Sequence, residues 1–188
     1  MAIAGTEVHG SPAIVVGAFA AVLLVSVLML PWPAAAASTA LGALMIIGAD
    51  VDARTFLLPD AVTFGAVACG ILAAAALDPF DPWVAAGMAA VRALATALLL
   101  AALGYAYAAL RQREGLGFGD VKLAAAVGAW LPLEAIPLCF GLATAAALIA
   151  VALARLRGDA IAATTRLPFG TFLCPALWLV FYAGVLPG

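Results

Sequence analysis

Apolar residues in this chain come in long blocks rather than in alternation with polar ones. Residues 13–30 contain no charged side chain and stop at Pro31-Trp32-Pro33. Residues 34–49, rich in Ala and Gly, run up to Asp50, Asp52 and Arg54. Residues 61–77 end at Asp78-Pro79-Phe80-Asp81-Pro82, whose prolines and aspartates predict a tight exposed turn. Residues 83–110, the longest block, end at Arg111-Gln112-Arg113-Glu114. Residues 120–131 begin a fifth block that turns around Pro132 and Pro137, 138–154 form a sixth ending at Arg155 and Arg157, and 169–186 form a seventh. A helix crosses a bilayer with about 20 predominantly apolar residues. The pattern therefore predicts an all-α polytopic membrane protein, a bundle of six to seven transmembrane helices. The number is six if the first or last block is re-entrant or interfacial.

Composition narrows the class. Of 188 residues 68% are hydrophobic and 10% charged, where a soluble domain carries roughly 25% charged residues. That excludes a soluble enzyme, a nucleic-acid binder and a disordered chain, and makes the lipid bilayer the first partner. The length leaves room for one transmembrane domain over 1–188 and no sizeable extramembrane domain. The first ten residues hold no Lys or Arg, and the block after them is too long for a signal-peptide core, so it reads as a retained span. Cys69, Cys139 and Cys174 stand alone in apolar runs without a C-x-x-C pair, as small packing residues would.

The few charges set the orientation. Arg54, Arg111, Arg113, Lys122, Arg155, Arg157 and Arg166 fall in or beside the connections after spans two, four and six, and the opposite connections have no Lys or Arg. By the positive-inside rule those three basic connections face the cytoplasm. With seven spans the N-terminus is then cytoplasmic and the C-terminus outside. Arg92 stands apart, inside the fourth block. It reads either as a guanidinium snorkelling to the outer interface or as a partner for a buried carboxylate.

Candidate chemistry lies in the acids. Four of the ten carboxylates, Asp50, Asp52, Asp60 and Asp120, belong to two short segments at cytoplasmic helix ends. Asp60, after Pro59, suits the opening turn of a helix. Asp120 follows glycines at 115, 117 and 119, a run with unusual backbone freedom and no side-chain bulk. A phosphate-binding loop would need a preceding strand and a Walker lysine, which this segment lacks. Two aspartates from different helices meeting in a semi-apolar pocket hold one proton between them. The ionised member can then activate water while the protonated one donates to a scissile carbonyl. No metal ligand set, cofactor motif or Ser-His pairing competes, and the single histidine, His9, reads as a solvated tail residue.

Three ordered segments resemble the type IV prepilin peptidase family of intramembrane aspartic proteases. The first runs from Asp52 through Leu58 and Pro59 to Asp60. The second is Gly117-Phe118-Gly119-Asp120-Val121-Lys122-Leu123. The third is Leu167-Pro168-Phe169-Gly170-Thr171-Phe172-Leu173. The resemblance implies Asp52 and Asp120 as the catalytic pair, with Gly117, Gly119, Lys122, Pro59, Pro168, Phe169 and Gly170 supporting the catalytic loops. Its register to Pro59 selects Asp52 over Asp50. Thr171 stands where the family usually has Pro, a change expected to alter stiffness more than chemistry.

The same resemblance implies removal of short basic leaders from prepilin-like precursors at the cytoplasmic face of the inner membrane. Lacking two C-x-x-C pairs, the chain looks like a short, peptidase-only form without an S-adenosylmethionine site. Asp50, Asp60, Glu114 and Asp159 offer an acidic surface for a basic leader, and Arg54, Arg111 and Arg113 can instead meet lipid headgroups. Two rivals remain. Pro175-Ala176-Leu177 reads like an element of the presenilin and signal-peptide-peptidase group, although Val51, not Tyr, precedes Asp52. A transporter or assembly scaffold could use the same aspartates to bind ions or protons.

Overall fold

The structure, a computed structural model, describes residues 12–111, 117–157 and 168–186. His9, Arg113, Glu114, Gly115, Asp159 and Arg166 lie outside the described residues. Among those described, all regular structure is helical: α1 (Pro12–Met29), α2 (Trp32–Thr55), α3 (Asp60–Leu77), α4 (Pro82–Arg111), α5 (Phe118–Trp130), α6 (Ile136–Leu156) and α7 (Gly170–Val185). Five of them, α1 to α4 and α6, are long and apolar enough to cross a membrane. The protein is a multi-pass membrane protein. At 1.5 Å per residue, the 13 residues of α5 reach only about 20 Å, short of a hydrocarbon core of about 30 Å. The 16 residues of α7 reach about 24 Å. The fifth and seventh blocks therefore form helices that do not meet the length of a span by themselves.

One boundary differs in a way that matters. The apolar pattern stops α2 at residue 49, before its acids, but the helix continues to Thr55. Asp50, Asp52 and Arg54 are therefore residues of its last turns. The reason is local: Asp50 and Arg54, four apart on one face, form an ion pair at 2.7 Å. The helix ends at Phe56, which takes a left-handed conformation (φ 56°, ψ 24°) and donates its N–H to the Asp52 carbonyl at 2.9 Å. That conformation is strained for a residue with a Cβ and usually falls to Gly. It reverses the chain so that Leu57, Leu58 and Pro59 lead back into α3.

Helix α2 packs against α1, α3 and α7, and α5 lies against α3, α4 and α7. Leu41 and Met45 of α2, Ala66 of α3, Leu123, Val127 and Trp130 of α5, and Leu173, Leu177 and Phe181 of α7 form the core. Buried polar groups are matched across helices. Ser26 and Ser38 share a hydrogen bond of 2.8 Å, Trp178 Nε1 donates to Ser38 at 3.1 Å, and Trp130 Nε1 donates to the Ala66 carbonyl at 2.7 Å. The 78–82 turn forms as expected. Asp78 Oδ1 accepts the N–H groups of Phe80 and Asp81, both at 2.9 Å. The Asp81 and Phe80 amides hold the Asp78 carboxyl below its ordinary range. Exposed Trp32, Phe80 and Trp83 mark this end of the bundle, as aromatic residues do at a membrane border.

Arg92 is half-buried and bonds backbone carbonyls. Its Nε donates to the carbonyls of Gly128, at 3.3 Å, and Leu131, at 3.1 Å. Those carbonyls belong to the C-terminal turn of α5, where a cation is favoured. Arg92 thus ends a short helix inside the bundle. The two helices approach so closely there that a Cβ on Gly128 would lie 2.4 Å from the Arg92 carbonyl oxygen. Gly128→Ala is therefore expected to lower stability by about 1–3 kcal/mol. Gly87→Ala and Gly141→Ala, with open space around their would-be Cβ atoms, should leave it nearly unchanged. Thermal unfolding of the three variants in detergent checks this.

Candidate active site

The site forms where the end of α2 meets the starts of α5 and α7. Asp52 is buried, 5% exposed. Its Oδ2 accepts the backbone N–H of Thr171 at 2.8 Å, with the Thr171 hydroxyl at 3.3 Å. Thr171 is in the first turn of α7, where N–H groups have no partner within the helix and the dipole favours an anion. The N-cap residue of α7, Phe169, makes no side-chain capping bond. The carboxylate that serves this helix start comes from α2 instead.

Asp120 lies in the first turn of α5, half-buried. Its Oδ2 accepts the N–H of Gly117 at 3.3 Å, so it closes the start of its own helix. Asp52 and Asp120 are within electrostatic reach of each other and of the buried Cys174.

Leu58 packs against α2, α5 and α7 close to the ends that carry Asp52 and Asp120. Its Cδ1 lies 2.9 Å from the position of a Cβ on Gly170 and 3.6 Å from that of one on Gly119, and its Cδ2 lies 3.5 Å from that of one on Gly48. One leucine thus fills a space left by glycines from three helices. Gly170 is the most constrained, since its Cβ would also fall 2.8 Å from Asp52 Oδ2. The structure corrects the expectation of unusual backbone freedom before Asp120. Gly117 has ordinary extended dihedrals (φ −75°, ψ 147°), and Gly119 is helical. At Gly119 the absence of a side chain is what the packing uses, because Leu58 lies against it.

The remaining expected residues take supporting positions. Pro59 precedes α3, and its carbonyl accepts the N–H groups of Val62 and Thr63. Asp60 occupies the first turn of α3, as expected, and also pairs with Lys122 of α5. The Lys122 ammonium lies 4.8 Å from the Phe118 ring centroid and 5.5 Å from that of Phe64. Lys122 therefore ties the starts of α3 and α5 together, and its carboxylate partner is Asp60 rather than Asp120. Pro168 and Phe169 are half-buried ahead of α7, and the Phe169 carbonyl accepts from Phe172 and Leu173, both at 3.0 Å. Asp50 pairs with Arg54 on an outer face of α2. Thr171 and Leu58 are the contacts that sequence reasoning underrated. Both lie inside the quoted motifs, Leu58 before Pro59 and Thr171 after Gly170, and nothing in the motifs points to their contacts.

A family model described as the type IV leader peptidase family matches residues 39–153. A protein of Aeromonas hydrophila named "Prepilin leader peptidase/N-methyltransferase" is 33% identical over 135 residues, covering 71% of this chain and 44% of that protein. Proteins of the same name are 42% identical over 102 residues in Dickeya chrysanthemi (52% of this chain, 35% of that protein) and 34% identical over 143 residues in Burkholderia pseudomallei strain K96243 (76% and 45%). The chain spans under half the length of these relatives. No solved structure matches it.

Gly170→Ala is expected to push Asp52 or Leu58 out of place and to lower stability by about 1–3 kcal/mol. Gly119→Ala, whose Cβ would make a contact of 3.4 Å with Leu58, should cost much less. Melting temperatures of the two variants, compared in the same detergent, test the difference.

Proposed function

Because the chain belongs to the type IV leader peptidase family, we propose that it is an intramembrane aspartic endopeptidase that removes short basic leaders from prepilin-like precursors. The observation that carries this reading is that Leu58 packs both against Gly170, itself beside Asp52, and against Gly119, the residue before Asp120. Two carboxylates in one half-buried site cannot both ionise readily, so the pair holds one proton. The ionised aspartate takes a proton from water as it attacks the peptide carbonyl. The protonated aspartate donates to the developing oxyanion. Collapse of the tetrahedral intermediate returns a proton to the leaving nitrogen and restores the shared state.

The site faces the cytoplasm in this reading. Arg54 and Lys122 belong to the helix ends that carry Asp52 and Asp120, Arg111, Arg155 and Arg157 fall at the C-terminal ends of α4 and α6, and basic residues concentrate on the cytoplasmic side. A basic leader would approach the same end of the molecule. Asp50 and Asp60 there carry partly exposed carboxylates, and the leader would compete with Arg54 and Lys122 for them. Exposed Phe56 and Leu57 offer an apolar step toward the bilayer, where the precursor's helix would lie.

Asp52→Asn and Asp120→Asn should each reduce cleavage of a precursor with a basic leader by about a thousandfold or more, with folding retained. Asp50→Asn should retain most activity. Gel-based cleavage in detergent, with circular dichroism as a folding control, distinguishes these outcomes. Activity should also fall at both pH extremes, with apparent pKa values that belong to the pair. A rate constant from neutral pH into strong alkali contradicts the shared proton.

A further inference from the structure

We propose that Thr171 is a positioning residue that fixes which oxygen of Asp52 faces the reaction. The inference rests on the aspartate-pair reading above. Two atoms of Thr171 approach the same oxygen: its N–H donates to Asp52 Oδ2 at 2.8 Å, and its hydroxyl lies 3.3 Å from that oxygen. The hydroxyl also lies 3.4 Å from the Ala49 carbonyl, one turn earlier on α2, so its single proton serves two acceptors on that helix. Both link α7 to the turn that carries Asp52.

The torsion that rotates a carboxylate about its last bond is broad. A carboxylate without side contacts would sample several orientations. Donors gathered on Oδ2 remove that freedom and leave Oδ1 to meet water and the Asp120 proton. The steric frame works the same way. Gly170, the residue just before Thr171, has no Cβ because Oδ2 occupies that space. Two consecutive residues thus form a seat for one carboxylate oxygen, Gly170 by clearing room and Thr171 by donating hydrogen bonds.

Thr171 does not touch the reacting atoms in this arrangement, so its loss should appear in turnover and not in substrate binding. Thr171→Val removes the hydroxyl and keeps the N–H; kcat should fall roughly fivefold, the worth of one ordinary hydrogen bond, with KM unchanged. Thr171→Ser should return kcat to within about twofold of the parent.

The experiment measures kcat and KM for the full chain on one precursor peptide with a basic leader, alongside Asp52→Asn, with thermal unfolding as a folding control. A kcat loss in Thr171→Val, recovered in Thr171→Ser, at constant KM, supports the seat. Parental kcat in Thr171→Val, with Asp52→Asn inactive, overturns the role of the Thr171 hydroxyl and leaves the aspartate pair standing. A rise in KM at constant kcat overturns it as well, since Thr171 would then contact substrate. Normal cleavage by Asp52→Asn removes the underlying reading itself.

Discussion

The structure depends on keeping one carboxylate inside an apolar bundle. An ionisable group removed from water is costly unless it finds hydrogen-bond or charge partners. Asp52 is buried near the end of α2, and its partner is not a cation but the free N–H at the start of α7. Helix starts are suited to anions because their N–H groups are unpaired and their dipole is positive there. The requirement propagates. Helix α7 has to begin beside Asp52, so Gly170 cannot carry a side chain. Helix α2 has to continue past its apolar stretch, and the left-handed turn at Phe56 then brings Leu58 back over the same site.

Helix α5, which carries Asp120, needs its own support, because it is too short to span. Almost every side of its second half is buried. Its far end is closed by Arg92 of α4, which bonds the Gly128 and Leu131 carbonyls. Its near end is tied to α3 by the Lys122–Asp60 pair. That pair includes an exposed carboxylate, so its worth is the small one of a surface ion pair, helped by the two aromatic rings beneath the ammonium. Close approach of α5 to α3 is also steric: a Cβ on Gly70 would lie 2.8 Å from Ala129 Cβ and from the Trp130 ring. Anchored at both ends, α5 begins against Leu58, which packs at Gly119 just before Asp120.

Much of this was legible in the sequence because its causes are local. Apolar blocks of known length mark helices in a lipid solvent, and all seven blocks are helical. The turn at 78–82 was legible from its prolines and aspartates. Of the two properties read from the glycines before Asp120, the lack of side-chain bulk is what Leu58 packs against at Gly119, and the backbone freedom goes unused at Gly117. What stayed hidden arises between distant segments. Arg92 meets carbonyls 36 and 39 residues away, Lys122 meets Asp60 across 62 residues, and Thr171 meets Asp52 across 119. No periodicity encodes such pairings. The end of α2 was misjudged for a related reason: a charged turn reads as the edge of a span, yet the Asp50–Arg54 pair keeps the backbone helical beyond it.

The central claim is that Asp52 and Asp120 act as one unit. A double-mutant cycle on precursor cleavage measures this directly. Groups that share one proton and one reaction fail together, so removing the second after the first costs almost nothing further. The account predicts that the Asp52→Asn/Asp120→Asn protein cleaves no more slowly than either single variant. Losses that multiply in the double variant would mean two independent contributions and would contradict it.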